Sequence, residues 1–217
     1  MYLVNTPQFI QKLFPNFIWQ IPTNKKELFL TFDDGPVPDV TPDVLNVLDA
    51  YNASATFFMV GKNIKENQEL FQEVIDRGHQ VGNHTFSHLN GWNEDNINYF
   101  HDVRHTEHLT GTGLFRPPYG KLRPKQAKFL QRHYKIVMWS VLSGDFDSET
   151  TQEECLKNVI DNAVNGSIIV FHDSLKSADK MLWALPRVLE HFSNEGFVFR
   201  SIDFTNRATK HLEMISA

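Results

Sequence analysis

The sequence predicts an α/β fold in which a parallel sheet forms a barrel-like domain. Short apolar runs rich in β-branched and aromatic residues alternate with longer segments of helical character. This alternation is typical of parallel sheets, whose neighbouring strands are joined by crossover helices. The 217 residues contain no composition break, internal repeat or low-complexity tract. We therefore expect a single domain of about seven parallel strands with their helices.

Seven apolar runs are the predicted strands, and the segments between them carry helix signals. Pro42 follows Thr41 as a first-turn proline, and Gly78, Gly166 and Gly196 follow helical patterns as stop signals. The predicted strands span 28–32, 55–60, 79–83, 113–116, 135–142, 167–171 and 197–202. The predicted helices lie near 42–51, 66–77, 94–110, 124–133, 151–165 and 180–195.

Residues 1–26 precede the first strand and contain apolar patches that Gln, Asn and Pro interrupt. We expect them to form an N-terminal arm packed on the barrel, with Phe17 and Trp19 as anchors, and we assign the barrel domain to 27–217. No basic start leads into a continuous apolar core, so we expect no export signal and a cytoplasmic rather than a secreted protein. No stretch approaches the length that spans a bilayer, so no transmembrane segment is expected.

Charge and cysteine content exclude some classes of protein. The formal net charge is −5, and no long basic run is present. Nucleic acid is therefore not expected as a partner, because phosphate binding needs clustered Lys and Arg. Cys155 is the only cysteine, which rules out an intrachain disulfide. The composition does not set an oligomeric state.

Two carboxylates, Asp33 and Asp34, end the first strand run, and buried carboxylates are costly unless something neutralises them. A metal ion would do so, and His84 and His88 offer matching ligands four residues apart. Two histidines and one aspartate make a site that leaves coordination positions open for water and substrate. The alternative interpretation is an Asp-Gly turn at Gly35 and a polar loop after the third strand.

The fourth strand run ends in Arg116, which is placed to neutralise and orient a carboxylate at the mouth of the barrel. Pro117 and Pro118 stiffen the loop that follows and are expected at the substrate cavity. Tyr119 keeps a backbone N–H for an oxyanion. A rigid surface turn is the alternative for this segment.

His172 directly follows the run from 167 to 171, and Asp145 follows the run that ends at 142. A carboxylate partner raises the pKa of an imidazole and fixes its orientation, so this pair predicts a tuned general acid. A capped core histidine is the alternative. Because the carboxyl ends of parallel strands open onto one face of a barrel, all these strand-end residues are expected to converge there.

A rival metal pattern, His101, His105 and His108, falls on one face of a predicted helix. Arg104 and the surrounding charges indicate a solvated face, and no strand end delivers a carboxylate there. We therefore expect no metal at this helix. Four further histidines are expected to be structural or at the surface, namely His79, His133, His191 and His211.

Five segments stand in a fixed order along the chain: TFDDG at 31–35, HTFSH at 84–88, RPPY at 116–119, DF at 145–146 and VFH at 170–172. Together they resemble the ordered motifs of the polysaccharide deacetylase family, the NodB-homology domain of carbohydrate esterase family 4, over about residues 27–203. The resemblance implies a distorted (β/α) barrel and makes 27–217 a metal-dependent polysaccharide deacetylase domain. Such an enzyme is a hydrolase of carbon–nitrogen bonds other than peptide bonds.

The resemblance also implies roles for the strand-end residues. Asp33 would be the general base that takes a proton from the attacking water, and Arg116 would keep it charged. A divalent metal, with zinc as the expected ion, would be bound by three ligands. These are Asp34, His84 and His88.

The remaining implied roles concern the oxyanion, the leaving group and the acyl group. The Tyr119 N–H would bind the oxyanion, and His172, tuned by Asp145, would protonate the leaving amine. Phe146 and Val170 stand where the family has a tryptophan and a leucine that bind the acyl group. Both are smaller, which predicts a wider acyl pocket. Leu142 replaces a further aspartate that is usual in the family.

The leading hypothesis is the removal of N-acetyl groups from N-acetylglucosamine-containing glycans of the chito-oligosaccharide or peptidoglycan type. An O-deacetylase acting on acetylated xylan or similar esters is the first alternative. A non-catalytic glycan-binding domain is the second, and the presence of both Asp33 and His172 argues against it. In the first two cases the partner is an acetylated carbohydrate.

Overall fold

One sheet of eight strands organises residues 2–204, which are the residues that this computed structural model describes. Its strand order is β5-β4-β3-β2-β1-β7-β6, with β8 beside β1, and every strand pair is parallel. The strands are β1 (Glu27–Asp33), β2 (Thr56–Met59), β3 (Gln80–Asn83), β4 (Leu114–Phe115), β5 (Lys135–Ile136), β6 (Val141–Leu142), β7 (Ile168–His172) and β8 (Val198–Phe199). The distorted parallel barrel that the sequence predicts is confirmed.

Helices connect successive strands and cover the sheet. They are α1 (Gln8–Leu13), α2 (Thr41–Ala50), α3 (Gly61–Glu66), α4 (Gln68–Asp76), α5 (Asn96–Thr110), α6 (Pro124–Leu130), α7 (Gln152–Ile160) and α8 (Ala178–Asn194), with a 3₁₀ turn at Pro118–Gly120. Among the residues described, no helix combines the length and the apolar character needed to cross a membrane.

Strand β1 lies at the centre of the core, and all its residues after Glu27 are buried. The ring of Phe32 stacks between those of Phe57 and Phe171, at centroid distances of 5.0 and 6.1 Å. Burying a side chain of this size stabilises the fold by about 1.5–3 kcal/mol. The apolar run therefore forms a strand covered on both faces, as strands of parallel sheets usually are.

One predicted element is divided in the structure, and one helix was not predicted. The predicted strand 135–142 is the two short strands β5 and β6, because the backbone carbonyls of Val137 and Met138 turn to the side chain of Arg116. The predicted helix 66–77 is α4, and the unpredicted α3 precedes it, separated from it by Asn67. The other predicted strands and helices are present, with ends shifted by a few residues.

The predicted stop signals Gly78, Gly166 and Gly196 have φ values of 82°, 80° and 82°. Glycine adopts this left-handed region without the steric cost that a Cβ brings. At Gly166 a Cβ would also lie 2.0 Å from the carbonyl oxygen of Ile21.

Residues of the N-terminal arm run along β5, β6 and the segment between them. Ile18 N donates to Ile136 O at 2.8 Å, and Met138 N donates to Ile18 O at 2.7 Å. The predicted anchors Phe17 and Trp19 are partly buried, with ring centroids 6.1 Å apart. The division of the chain at residue 26 stays a prediction.

Candidate active site

The strand-end residues meet around one cavity of about 390 Å³. It opens at the carboxyl ends of the central strands, where the active sites of parallel barrels lie. Five of the predicted site residues that line it are Asp33, Asp34, His84, His88 and His172. Arg116 and Asp145 lie directly behind this wall and are fully buried.

Asp33 forms a buried ion pair with Arg116, whose Nη1 lies 2.7 Å from Asp33 Oδ1. Nη1 also donates to Thr31 Oγ1 at 2.7 Å, while Nε and Nη2 donate to the carbonyls of Val137 and Met138 at 3.1 and 2.9 Å. A buried guanidinium is stable only when its donors are paired in this way. Arg116 therefore compensates the charge of Asp33 and fixes the position of its carboxylate.

Asp34 turns away from this pair and faces two histidines. Its Oδ1 lies 3.2 Å from His88 Nε2 and 3.8 Å from His84 Nε2. Burial alone would raise the pKa of Asp34, but His88, His172 and His84 outweigh it and hold the pKa well below its usual value. The cluster thus pairs one charged oxygen ligand with two imidazoles.

These three residues fit a divalent metal. One ligand atom from each of Asp34, His84 and His88 lies within 4.8 Å of the other two, and Asp34 Oδ1 is buried without a hydrogen-bond partner. His84 Nδ1 lies 2.8 Å from the Arg116 carbonyl oxygen, which can only accept a hydrogen bond. Nδ1 therefore carries the proton, and Nε2 presents a lone pair to the cluster.

Burial lowers the pKa of His84 to about 4, against an opposing effect of Asp33. The imidazole is therefore neutral at neutral pH, as a metal ligand must be. Together with the unpaired oxygen of Asp34, this makes the cluster suitable for zinc or a similar ion.

The loop that carries the two histidines is held by α5. Asp102 Oδ1 accepts hydrogen bonds from the backbone N–H groups of Phe86 and Ser87, at 2.7 and 2.9 Å. Asn83 Nδ2 donates to the Val103 carbonyl at 2.7 Å, which ties the end of β3 to the same helix. Helix α5 thus fixes the conformation of the loop between His84 and His88.

Backbone strain is concentrated around the cavity. Five non-glycine residues among those described have a positive φ, and four of them, Asp34, Thr85, His88 and Tyr119, lie in the loops at the mouth. Such conformations cost of order 1–3 kcal/mol each and occur mostly at functional sites. The fifth, Asn52, lies in the turn after α2.

His172 and Asp145 form a second buried pair on the other side of the cavity. His172 Nδ1 lies 2.8 Å from Asp145 Oδ1, and its backbone N–H donates to Oδ2 at 2.7 Å. Burial lowers the pKa of His172, but the charge and hydrogen bond of Asp145 outweigh it and raise the pKa to about 9. A protonated imidazole with Nε2 free for the substrate is what a general acid requires.

The structure separates the predicted substrate-binding residues into two groups. Pro117, Tyr119 and Phe146 line the cavity together with the residues above. Val170 is 1% exposed inside β7, and Pro118 is buried in the 3₁₀ turn, and neither lines the cavity. The expected place of Val170 and Pro118 at the substrate cavity is therefore not what the structure shows.

Sequence reasoning missed several residues at this site. Asp173 is fully buried and accepts from Gly35 N at 3.0 Å, and Thr41 Oγ1 donates to it at 2.7 Å, so it holds the loop after β1. The sequence signal that could have identified Asp173 is its position directly after His172. Tyr2 also lines the cavity, and no motif marks it.

The rival helix histidines lie apart from this cluster. Within residues 2–204, the one group of three or more potential ligands close enough to hold a metal is Asp34, His84 and His88. His105 instead stacks on Phe86 at 3.7 Å. His211 lies outside the described residues.

The comparisons with known proteins agree with this geometry. A sequence model described as polysaccharide deacetylase matches residues 20–136. The chain is 33% identical over 193 residues to a peptidoglycan-N-acetylglucosamine deacetylase of Bacillus cereus, which covers 85% of this chain and 90% of that protein. This chain belongs to the polysaccharide deacetylase family.

Two further relatives extend this likeness. A chitooligosaccharide deacetylase of Azorhizobium caulinodans is 33% identical over 172 residues, which is 76% of this chain and 81% of that protein. The crystal structure of the Bc1960 peptidoglycan N-acetylglucosamine deacetylase superposes with a TM-score of 0.83 at 29% identity, covering 91% of this chain and 95% of that one.

Proposed function

We propose that this protein is a metal-dependent hydrolase that removes N-acetyl groups from N-acetylglucosamine-containing glycans. The observation that carries the proposal is the arrangement of two buried pairs, Asp33 with Arg116 and Asp145 with His172, around one cavity that also contains the His–His–Asp cluster. Amide hydrolysis needs a base for the water, a charge to stabilise the oxyanion and an acid for the leaving amine. The cavity offers groups for each.

Asp33 is the proposed base. Its Oδ1 is engaged by Arg116, and its Oδ2 faces the cavity, 4.0 Å from His84 Nε2. A carboxylate fixed through one oxygen can take a proton from water through the other without rotating away. The ion pair thus orients the base as well as compensating its charge.

His172 is the proposed acid. Asp145 holds the imidazole by Nδ1 and keeps it protonated, so Nε2–H can donate to the leaving nitrogen. An amine is a poor leaving group unless it is protonated, whereas an alkoxide from an ester needs less help. A histidine tuned to remain charged above neutral pH therefore favours amide over ester substrates.

Asp34, His84 and His88 would hold the divalent metal, with zinc as the expected ion. When bound, such an ion acts as a Lewis acid on the carbonyl and lowers the pKa of water to about 7. The depressed pKa values of Asp34 and His84 keep both residues in the deprotonated form that ligation requires.

The glycan assignment draws on the relatives. The names of those described above specify peptidoglycan N-acetylglucosamine and chito-oligosaccharides, and both contain the N-acetylglucosamine unit. We extend that substrate class to this chain because each of the two relatives is 33% identical to it, over 85% and 76% of its length.

Acetate release tests the proposal. Metal-stripped protein, reloaded separately with zinc and with other divalent ions, is assayed on chito-oligosaccharides, peptidoglycan and acetylxylan. We expect acetate from at least one of the first two substrates, only in the reloaded protein. Release from acetylxylan alone would make the protein an O-deacetylase, and no release from any substrate would indicate a non-catalytic glycan-binding domain.

A further inference from the structure

The segment of residues 2–6, called here the edge segment, pairs with β6 at the end of the sheet order. Thr6 N donates to Ser140 O at 2.9 Å, and Leu142 N donates to Val4 O at 2.8 Å, which encloses an antiparallel bridge between Asn5 and Val141. This is the hydrogen-bond pattern of an added strand. The pairing of Val4 with β6 therefore restricts the position of the residues that precede it.

The edge segment carries Tyr2 into the cavity. The Tyr2 ring lies 5.0 Å from the Phe146 ring, and its hydroxyl shares a hydrogen bond with Thr150 Oγ1 at 2.9 Å. A Cβ at Gly144 would lie 2.4 Å from that hydroxyl, so the glycine leaves the room in which Tyr2 sits. Pairing, stacking and a hydrogen bond together hold this side chain.

An aromatic row connects Tyr2 to the proposed acid. The Phe146 ring lies 5.1 Å from the His172 ring in an edge-on arrangement, and Tyr2 packs on Phe146. Leu142 lines the cavity beside them. Tyr2 and Phe146 therefore present aromatic rings to the cavity beside His172, while Ser174, Lys176 and Ser177 supply polar groups to the same lining.

We propose that Tyr2 is a specificity-determining residue, which together with Phe146 and Leu142 forms the wall against the alkyl part of the acyl group. The inference rests on the proposed function. The carbonyl carbon must lie between Asp33 and His172 for both proton transfers, and its alkyl group is the apolar substituent at that atom. Tyr2 comes from the edge segment, whereas Leu142 belongs to β6 and Phe146 to the loop after it, so a segment distant in sequence completes this wall.

The sequence predicted a wider acyl pocket because Phe146 is smaller than tryptophan. The structure instead places the Tyr2 ring against Phe146, so the wall is restored by a side chain from the edge segment. A pocket closed in this way should accept acetyl and exclude larger acyl groups, since adding a methylene to a filled apolar pocket is unfavourable.

The test compares kcat/KM on N-propionyl and N-acetyl chito-oligosaccharides for wild type and Tyr2→Ala. We expect the propionyl-to-acetyl ratio to rise at least about tenfold in Tyr2→Ala, which is the low end of the discrimination one methylene gives. The matched control is Leu3→Ala, because Leu3 is the next residue of the edge segment and is 53% exposed. Its ratio should stay within about twofold of wild type. Tyr2→Phe, which keeps the ring, should remain closer to wild type than Tyr2→Ala.

A binding measurement separates this inference from the proposed function. Acetate and propionate are titrated into the metal-loaded proteins and followed by NMR at the His172 imidazole. We expect wild type to bind acetate more tightly than propionate, and Tyr2→Ala to reduce that preference. An unchanged preference and an unchanged kcat/KM ratio in a folded Tyr2→Ala variant would overturn the assignment, as would an effect on glycan KM alone. Absence of turnover in wild type would instead contradict the proposed function.

Discussion

Asp33 and Asp34 are neighbours in sequence but belong to different halves of the site. Asp33 ends β1 and is held by Arg116, whereas Asp34 adopts a φ of 84° that turns its side chain toward His84 and His88. Successive residues at the end of a strand diverge in direction, and the positive φ increases the divergence. The two adjacent carboxylates can therefore have different roles in the site.

We expect Asp34→Asn and Asp33→Asn to impair different properties of the protein. Asp34→Asn removes the charged ligand and should lower the metal content, while Asp33→Asn should keep the metal and lose at least about a hundredfold in turnover, as expected for loss of a general base. Elemental analysis and acetate release measure the two effects. Equal loss of metal in both variants would contradict the division.

His172→Ala should cost at least about a hundredfold in turnover of the amide, because the leaving amine loses its proton donor. The loss should be smaller on an aryl acetate, whose leaving group needs no proton. The comparison uses kcat/KM on both substrates with the same enzyme preparation. Equal losses on the two would show that His172 does not act as the acid.

Asp145→Asn should shift the pH dependence of the amide reaction. Asp145 raises the pKa of His172 to about 9, so the acid form persists to that pH in the wild type and activity should fall above it. Without the charge of Asp145 the burial effect prevails, the pKa of His172 falls, and the alkaline limb should move to lower pH. The profile of kcat/KM against pH measures this. Asp147→Asn, two residues away, is the control and should keep the wild-type limb.

At the level of elements, α5 positions the loop that carries His84 and His88 without contributing a residue to their cluster with Asp34. Its Asp102 caps the backbone of the loop between His84 and His88, and His105 packs on Phe86 in that loop. Of the histidines on this helix, His105 contacts the loop, and it does so by stacking on Phe86.

Removing the cap should weaken metal binding. We expect Asp102→Ala to lower metal affinity about 10–100-fold, the usual effect of losing an outer-shell partner, while Asp102→Asn should largely restore it because an acceptor oxygen remains. His101→Gln, on an exposed face of the same helix, should match wild type. Titration with a competing chelator gives the affinities. A wild-type affinity in Asp102→Ala would show that the loop holds its shape without α5.

At the scale of the whole molecule, stability should depend on pH through Asp173. Burial, assisted by the charge of Asp34, raises the pKa of Asp173 to about 8, against the hydrogen bonds from Thr41 and Gly35. The folded protein thus keeps a proton that the unfolded chain loses near pH 4. Between about pH 4 and 8 this group destabilises the fold increasingly as the pH rises.

Asp173→Asn should remove this dependence, since a carboxamide does not titrate. Its oxygen can accept from Gly35 N, and its NH₂ group can donate to Thr41 Oγ1 in place of accepting from it. We expect the Tm of wild type minus that of Asp173→Asn to fall between pH 5 and pH 8, measured on metal-stripped protein. Buried histidines such as His79 contribute equally to both curves and cancel in the difference. A constant difference across this range would show that Asp173 is already ionised in the fold.

The apolar runs and their spacing were sufficient to predict the parallel sheet and several of the polar residues that meet where its strands end. This follows because the central strands β1, β2 and β7 are buried on both faces and the carboxyl ends of parallel strands share one edge. The division of 135–142 was not predictable, because it depends on Arg116 reaching carbonyls more than twenty residues away.

By itself the sequence determined that Asp33, Asp34, His84 and His172 reach the cavity, since a residue at or just after the end of a buried strand must emerge there. The tertiary structure alone decided contacts that no motif indicated: Arg116 with the carbonyls of Val137 and Met138, and Asp102 with the histidine loop. It also placed Tyr2 beside Phe146. These contacts join residues far apart in the chain, and their geometry depends on how helices and edges pack on the sheet, which no local pattern of residues records.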